Sequence, residues 1–149
     1  MAAVAAYLAG DFPLAIEWSQ DVLDRTPGAE YRNAWYTPRV ILGASLAEVG
    51  RHEEAEVLLT RLVADYTARL AAGATAWRYA WTIAVSAAVL GQTQESLSWL
   101  ERAYALGFRN VRQMQLDPSL TLVRRDPQFE AVEARIVADL AEARAAAVR

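Results

Sequence analysis

The chain has 149 residues, more than half of them apolar, and a formal net charge of −3, which fits one domain with a continuous core. It contains no cysteine, and its basic residues are all arginine, so disulfides, thiolate metal sites and catalytic lysines are excluded. The acidic balance argues against a nucleic-acid partner, which needs a basic surface. The alanine-rich composition, with few β-branched runs, favours helices.

The N-terminal part of the chain predicts two helices followed by an aromatic join. Ala2 to Ala9 lacks the basic region of a signal peptide and reaches Asp11 too soon to span a membrane, so we interpret it as a core helix of a cytoplasmic protein. Because it gives only about two turns, we expect the chain to open partway through a helix pair, as a trimmed first repeat or a piece of a longer array. Pro13 sits in the first turn of a helix that runs to about Arg25. Thr26-Pro27-Gly28 then breaks the chain, and the join that follows contains Tyr31, Trp35 and Tyr36.

The middle of the chain predicts two helices folded back on each other at Gly50. Thr37-Pro38 is typical of an N-cap with proline at the first helical position, and this helix runs to about Val49. Gly43 shares a face with Leu42 and Leu46 and allows a facing helix to come close. The second helix runs from Glu53 to about Ala72. Its apolar residues form one stripe: Ala55, Leu58, Leu59, Leu62, Tyr66 and Leu70.

The pattern repeats towards the C-terminus and then changes. A helix from Ala76 to Leu90 ends at Gly91, and Thr93 is predicted to cap the next helix, which runs to about Leu106. Two Asp-Pro pairs follow, at Asp117-Pro118 and Asp126-Pro127. Each is expected to start a helix, the last one running to about Ala147.

These residues resemble the tetratricopeptide repeat, whose pattern is W-x2-L-G-x2-Y, then A-x3-F, then P. Leu42-Gly43 match, Arg39 stands at the Trp position, Leu46 replaces the Tyr, and Ala55 with Leu59 fill the A-x3-F positions. In the first copy Gly10 is the turn glycine, Ala15 stands at the first A-x3-F position and Pro27 at the closing Pro. In the third copy Gly91 is the turn glycine, and Ser96 and Leu100 fill the A-x3-F positions. The turn glycines are 40 and 41 residues apart, longer than the family period of about 34.

The resemblance implies an all-α, right-handed array of antiparallel helical hairpins (a TPR-like α-solenoid) in a single domain spanning 1–149. The hairpins are expected at about 2–27, 37–72 and 75–106, with a C-terminal helical cap at about 107–149. The segment from Ala105 to Arg135 is similar to the closing part of repeat regions in bacterial multidomain regulators. The resemblance carries no catalytic residue and no cofactor.

In the family, the first helices of the hairpins line a groove that holds peptides. The corresponding residues here are Val40, Ala44, Ala47, Trp77, Arg78, Trp81 and Val85. The lysines and asparagines with which some relatives clamp a peptide carboxylate are replaced by Val40, Ala44, Trp81 and Val85. The groove is therefore expected to bind an apolar peptide, a helix or a partner domain. The alternative is that Trp77 and Trp81 are core residues beneath the extra residues of the longer repeat or beneath the C-terminal helix.

Polar residues that could support chemistry have simpler explanations. His52 alone cannot supply a ligand cluster, and Glu53, Glu54 and Glu56 suit the positive end of a helix dipole. Asp117 and Asp126 are explained as caps. Arg109, Arg112, Arg124 and Arg125 form a small basic patch, interpreted as solvated surface or as pairing with helix ends. We therefore predict a non-catalytic interaction module with a protein or peptide partner. One alternative is a self-association segment forming a homo-oligomer, and a remote one is a small helical hydrolase or ligand-binding domain.

Overall fold

The computed structural model describes residues 2–26 and 36–147, and over these ranges it contains eight α-helices, two 3₁₀ turns and no β-strand. The predicted all-α class is therefore confirmed. The helices are α1 (Ala2–Leu8), α2 (Phe12–Arg25), α3 (Pro38–Glu48), α4 (His52–Ala71), α5 (Trp77–Val89), α6 (Thr93–Ala105), α7 (Val111–Leu116) and α8 (Pro127–Ala147). The 3₁₀ turns are Pro118–Leu120 and Val123–Arg125.

Side-chain caps stand at the starts of four helices, α2, α3, α7 and α8. The Thr37 hydroxyl accepts a hydrogen bond from the backbone N–H of Val40 at 3.2 Å, with Pro38 as the first helical residue, which confirms that prediction. The prediction that Thr93 caps α6 is wrong, because Thr93 is the first residue of that helix. The residue before it, Gln92, is held by a backbone bond from its N–H to the carbonyl of Ala87 at 2.8 Å. No side-chain capping bond is made there.

The three predicted turns share one backbone arrangement. Gly50 has φ of +83°, a conformation that glycine adopts without steric cost. The next N–H, from Arg51, donates to the carbonyl of Leu46 at 2.9 Å and so satisfies the end of α3. The same bond closes the other two turns, from Asp11 to Ala6 at 2.9 Å and from Gln92 to Ala87 at 2.8 Å. Each turn folds a helix back onto the one before it.

Each helix from α1 to α6 packs against the next, and α1 also contacts α3, as α3 contacts α5. The predicted close approach at Gly43 is confirmed, since a Cβ atom added there would lie 2.5 Å from Leu59 Cδ2. Leu59 itself is completely buried. We use the term inner face for the side of α1, α3 and α5 that carries Tyr7, Ala47 and Trp81 and meets the C-terminal segment.

The C-terminal segment folds back over this face before α8 begins. Asp126 caps α8 through a hydrogen bond from the Gln128 N–H to its side chain at 2.9 Å, so that predicted start is confirmed. The prediction that Asp117-Pro118 starts a helix is confirmed for a single 3₁₀ turn, Pro118–Leu120, whose N-cap is Asp117. Both Leu120 and Val123 are buried, and the chain turns between them to place both side chains in the core. The helix α8 then packs against α6, α7 and the turn Val123–Arg125.

Some predictions fall outside the part of the chain that the structure describes. These are the closing Pro27 and the aromatic residues Tyr31 and Trp35 of the join. Among the described helices, none combines the length and the hydropathy needed to cross a membrane.

Candidate interaction site

The residues predicted to line a groove lie mostly inside the protein. Val40, Ala44, Trp81 and Val85 are buried, with at most 2% of their surface exposed. Ala47, Trp77 and Arg78 are partly exposed. Four of the seven residues are thus inaccessible to a partner in this conformation, which favours the alternative in which the tryptophans belong to the core. The physical reason is that the C-terminal segment covers the inner face.

Phe108 is the residue that covers the two tryptophans. Its ring stacks on Trp81 with centroids 4.7 Å apart and an angle of 10° between the planes. It also meets Trp77 edge-on, with centroids 5.4 Å apart. Phe108 follows Gly107, where the chain leaves α6, and it is 1% exposed. Offset aromatic pairs of this kind add about 0.5–1.5 kcal/mol to the gain from burial. The aromatic part of the predicted groove therefore holds a side chain of the same molecule.

A buried carboxylate of the C-terminal segment, Asp117, binds two tyrosines from earlier in the chain on the same face. Asp117 is completely buried, and its Oδ1 accepts hydrogen bonds from the Tyr7 hydroxyl at 2.8 Å and from the Ser119 N–H at 2.9 Å. Its Oδ2 accepts one from the Tyr36 hydroxyl at 2.6 Å. The Tyr7 hydroxyl also lies 2.5 Å from Ser119 Oγ. We call Tyr7, Tyr36, Asp117 and Ser119 the carboxylate clasp.

The electrostatics of the clasp favour structure over chemistry. Burial raises the pKa of the Asp117 carboxyl above its ordinary value, although the hydrogen bonds from Tyr36 and Tyr7 oppose the shift. Burial, reinforced by the charge of Asp117, also raises the pKa of both tyrosine hydroxyls well above their ordinary value. Neither tyrosine ionises near neutral pH, so the pair acts as hydrogen-bond donors and not as bases or nucleophiles.

Arginines predicted as a basic patch are partly used within the protein. Arg124 donates from Nη1 to the backbone carbonyls of Asp117 at 2.8 Å and Met114 at 3.2 Å. This is the pairing with helix ends that the sequence suggested, since Met114 lies in the last turn of α7. Arg109 lies over the Tyr104 ring, 4.4 Å from its centroid, and forms a salt bridge with Asp139 at 3.1 Å.

An open cleft lies beside the covered part of the inner face. It has two connected lobes of about 280 and 490 Å³ that share Ala47, His52 and Val89. One lobe extends to Glu56 and Gln92, and the other to the 3₁₀ turn and the loop after it. The complete lining is Ala47, Glu48, His52, Ala55, Glu56, Thr60, Ala88, Val89, Leu90, Gln92, Pro118, Ser119, Thr121 and Leu122.

The cleft combines an apolar floor with an acidic rim. Ala47 and Val89 lie partly buried at its base, whereas Glu48 and Glu56 are exposed at its edge. Leu122 projects from the opposite edge with 61% of its surface exposed. Ala47 is the predicted groove residue that the structure leaves accessible here. His52 lines both lobes, but the described residues contain no group of three or more side chains that could hold a metal ion.

Sequence reasoning missed the clasp and most of the cleft. Asp117 was explained as a cap, and it does accept the Ser119 N–H. Nothing in the local pattern indicates that its two other donors come from residues 110 and 81 positions earlier. The cleft lies between helix ends that only the folded chain brings together. The sequence presents His52 and Glu56 as candidate catalytic groups at the start of a helix. It does not show that they lie beside Ala47.

In comparisons with protein-family models, with curated proteins and with solved structures, nothing matches this chain. The likeness to the tetratricopeptide repeat therefore rests on the residues and turns described above.

Proposed function

We propose that the chain is a non-catalytic protein-interaction module, built as a TPR-like array of three helix pairs with a C-terminal cap. Three features support the repeat interpretation. The turns at Gly10, Gly50 and Gly91 share one hydrogen-bond pattern. The first helices of successive pairs contact each other, and the second pair makes its close contact between Gly43 and Leu59.

The observation that carries the proposal is the open cleft between the ends of α3 and α5 and the C-terminal segment. Part of the inner face already holds an irregular segment of chain, through an aromatic stack and a clasped carboxylate. The cleft continues from that covered region and keeps an accessible apolar floor at Ala47 and Val89. The lining mixes apolar and polar groups in similar measure, as the contact surfaces of non-obligate protein complexes do.

The partner that fits is a short peptide with one apolar side chain beside an arginine or lysine. The apolar side chain would occupy the floor and contact Leu122, and the cation would lie near Glu48 or Glu56. Charge complementarity of this kind guides association and selects partners more than it adds affinity. We therefore expect modest affinity and a clear preference for basic over acidic peptides.

The test is selection of a random peptide library on the full chain, followed by calorimetric titration of the selected peptides. Leu122→Arg should weaken their binding at least tenfold, since it replaces an apolar contact by a charge that repels the basic peptide. Val137→Arg is the matched control, because Val137 is 51% exposed on α8 and lies outside the cleft lining. Peptides that bind the Leu122→Arg variant as tightly as the original protein would refute the site. Failure to select any peptide would count against the function.

Self-association is the second candidate function. The exposed outer side of α4, which lies outside the cleft, supports it.

A further inference from the structure

The outer side of α4 carries an apolar side chain that the fold leaves uncovered. Val57 is 73% exposed, more than any other large hydrophobic residue among the described residues. It lies on the opposite side of α4 from the buried stripe of Ala55, Leu59, Leu62 and Tyr66. A single exposed valine is ordinary on a protein surface. The arrangement around Val57 is what makes this one informative.

Charged residues of opposite sign flank Val57 at equal distances. Glu53 lies four residues before it and Arg61 four residues after it, so both share its side of the helix. With a rise of about 1.5 Å per residue, each lies about 6 Å from Val57 along the axis. All three side chains are exposed. Neither Glu53 nor Arg61 forms an ion pair with another described residue, whereas the neighbouring Glu54 pairs with Arg51 at 2.7 Å.

The surface beside Val57 is shallow and open to solvent, because one helix alone forms it. It consists of Glu53, Glu54, Val57, Leu58 and Arg61. Leu58 forms its partly buried apolar floor and packs against a small second core that includes Leu42, Leu46 and Ala55.

We propose that this surface binds a second copy of the chain, with the two α4 helices antiparallel and a twofold axis beside Val57. A twofold interface places each residue opposite the one at the mirrored position in the partner. Glu53 of each copy then faces Arg61 of the other, which gives two identical ion pairs around the central valines. A parallel arrangement would instead place Glu53 against Glu53 and Arg61 against Arg61, so the charges select the antiparallel one.

The interface is small, because an antiparallel register around Val57 brings together only residues 52–62 of the two α4 helices. We therefore expect a weak, concentration-dependent dimer and not an obligate one. This inference is independent of the proposed peptide cleft, because none of Glu53, Val57 and Arg61 lines that cleft. Failure of either proposal leaves the other standing.

Sedimentation velocity of the full chain, at concentrations up to about 1 mM, tests the dimer directly. Val57→Arg should abolish association, while Val137→Arg, at a similarly exposed valine on α8, should leave it unchanged. Circular dichroism verifies that both variants remain helical. A wild-type chain that stays monomeric over the whole range would overturn the proposal, as would a Val57→Arg variant that still dimerises normally.

Charge reversal then tests the antiparallel register. Glu53→Arg and Arg61→Glu should each raise the dissociation constant of the homodimer at least tenfold, because like charges then face each other twice. Mixing the two variants should restore association as a heterodimer, in which every Arg faces a Glu. Native mass spectrometry distinguishes this heterodimer from either homodimer. A mixture that fails to associate, or single variants that dimerise as well as the wild type, would overturn the arrangement.

Discussion

Removing the Tyr36 hydroxyl tests the contribution of the carboxylate clasp to stability most directly. This hydroxyl donates to Asp117 Oδ2 at 2.6 Å, and no other described group donates to that oxygen. Tyr36→Phe keeps the aromatic ring and leaves Oδ2 of the buried Asp117 carboxylate without a hydrogen-bond donor. A hydrogen bond to a charged group contributes about 1.5–3 kcal/mol, so we expect a loss of that size in the free energy of unfolding.

Tyr7→Phe is the internal comparison for this experiment. Oδ1, which loses the Tyr7 hydroxyl, keeps the Ser119 N–H at 2.9 Å. The Ser119 hydroxyl, which also loses its hydrogen bond to Tyr7, is on a partly exposed residue and can bond to water instead. We therefore expect a smaller loss, of about 0.5–1.5 kcal/mol. The ranking of the two variants follows from how many donors each oxygen has and not from the tyrosine rings, which remain in both.

Urea unfolding followed by circular dichroism measures both losses. With a slope of about 2 kcal/mol per molar urea, the Tyr36→Phe midpoint should fall by about 1 M. Tyr104→Phe is the matched control, since its hydroxyl also donates to a carboxylate, Asp139, at 3.1 Å. The Asp139 side chain is 40% exposed and already paired with Arg109, so the control should lose less than about 0.5 kcal/mol. Equal losses in Tyr36→Phe and Tyr104→Phe would refute the reasoning.

Four further predictions concern the core and the response to pH. Leu59→Ala should lower the free energy of unfolding by about 2–5 kcal/mol in denaturant titrations. Gly43→Ala should lower the free energy of unfolding by about 1–3 kcal/mol through overpacking. The loss should be clearly smaller in the Leu59→Ala background, since the atoms that the added methyl group meets belong to Leu59. Equal losses in both backgrounds would contradict this. Trp81→Ala should cost about 3–5 kcal/mol, because Trp81 is fully buried and stacked on Phe108; a loss below about 1 kcal/mol would show that Trp81 is a surface residue after all. In the folded state, burial raises the pKa of Asp117. The contribution of Asp117 to stability is therefore complete below about pH 4, the ordinary pKa of aspartate. This contribution declines as the pH rises through the folded-state pKa. The stability of the wild type relative to the Asp117→Asn variant should therefore fall as the pH rises above about 4, and a difference that does not vary with pH would disprove the assignment.

Local signals made most of the helix boundaries predictable. Gly50 ends α3 and Thr37 caps its start, because glycine conformations and capping hydroxyls act within a few residues. The close contact at Gly43 was also predictable from its place on an apolar helix face. Thr93 shows the limit of such signals, since a residue type suited to capping became the first helical residue once the turn at Gly91 had set the register.

The candidate site was less predictable because distant parts of the chain build it. Trp77 and Trp81 have the spacing of a groove-lining pair, and only the position of Phe108 decides that they are covered. Asp117 reads as a cap in the sequence, yet two of its three hydrogen-bond donors are distant tyrosines. In the sequence, Val57 is an apolar residue on the polar side of α4. Only the structure, in which 73% of its surface is exposed, distinguishes it from a residue packed at the edge of the core.

The clasp also has a consequence for the order of events during synthesis. Tyr7 leaves the ribosome 110 residues before Asp117, which at about 5–20 residues per second is a delay of roughly 5–20 s. The helix pairs need only neighbouring residues, and short loops close in well under a millisecond. The first pairs can therefore form while the Tyr7 and Tyr36 hydroxyls are still hydrated. The inner face is then an accessible surface in every nascent chain, and it closes only when the segment from Phe108 to Ser119 emerges.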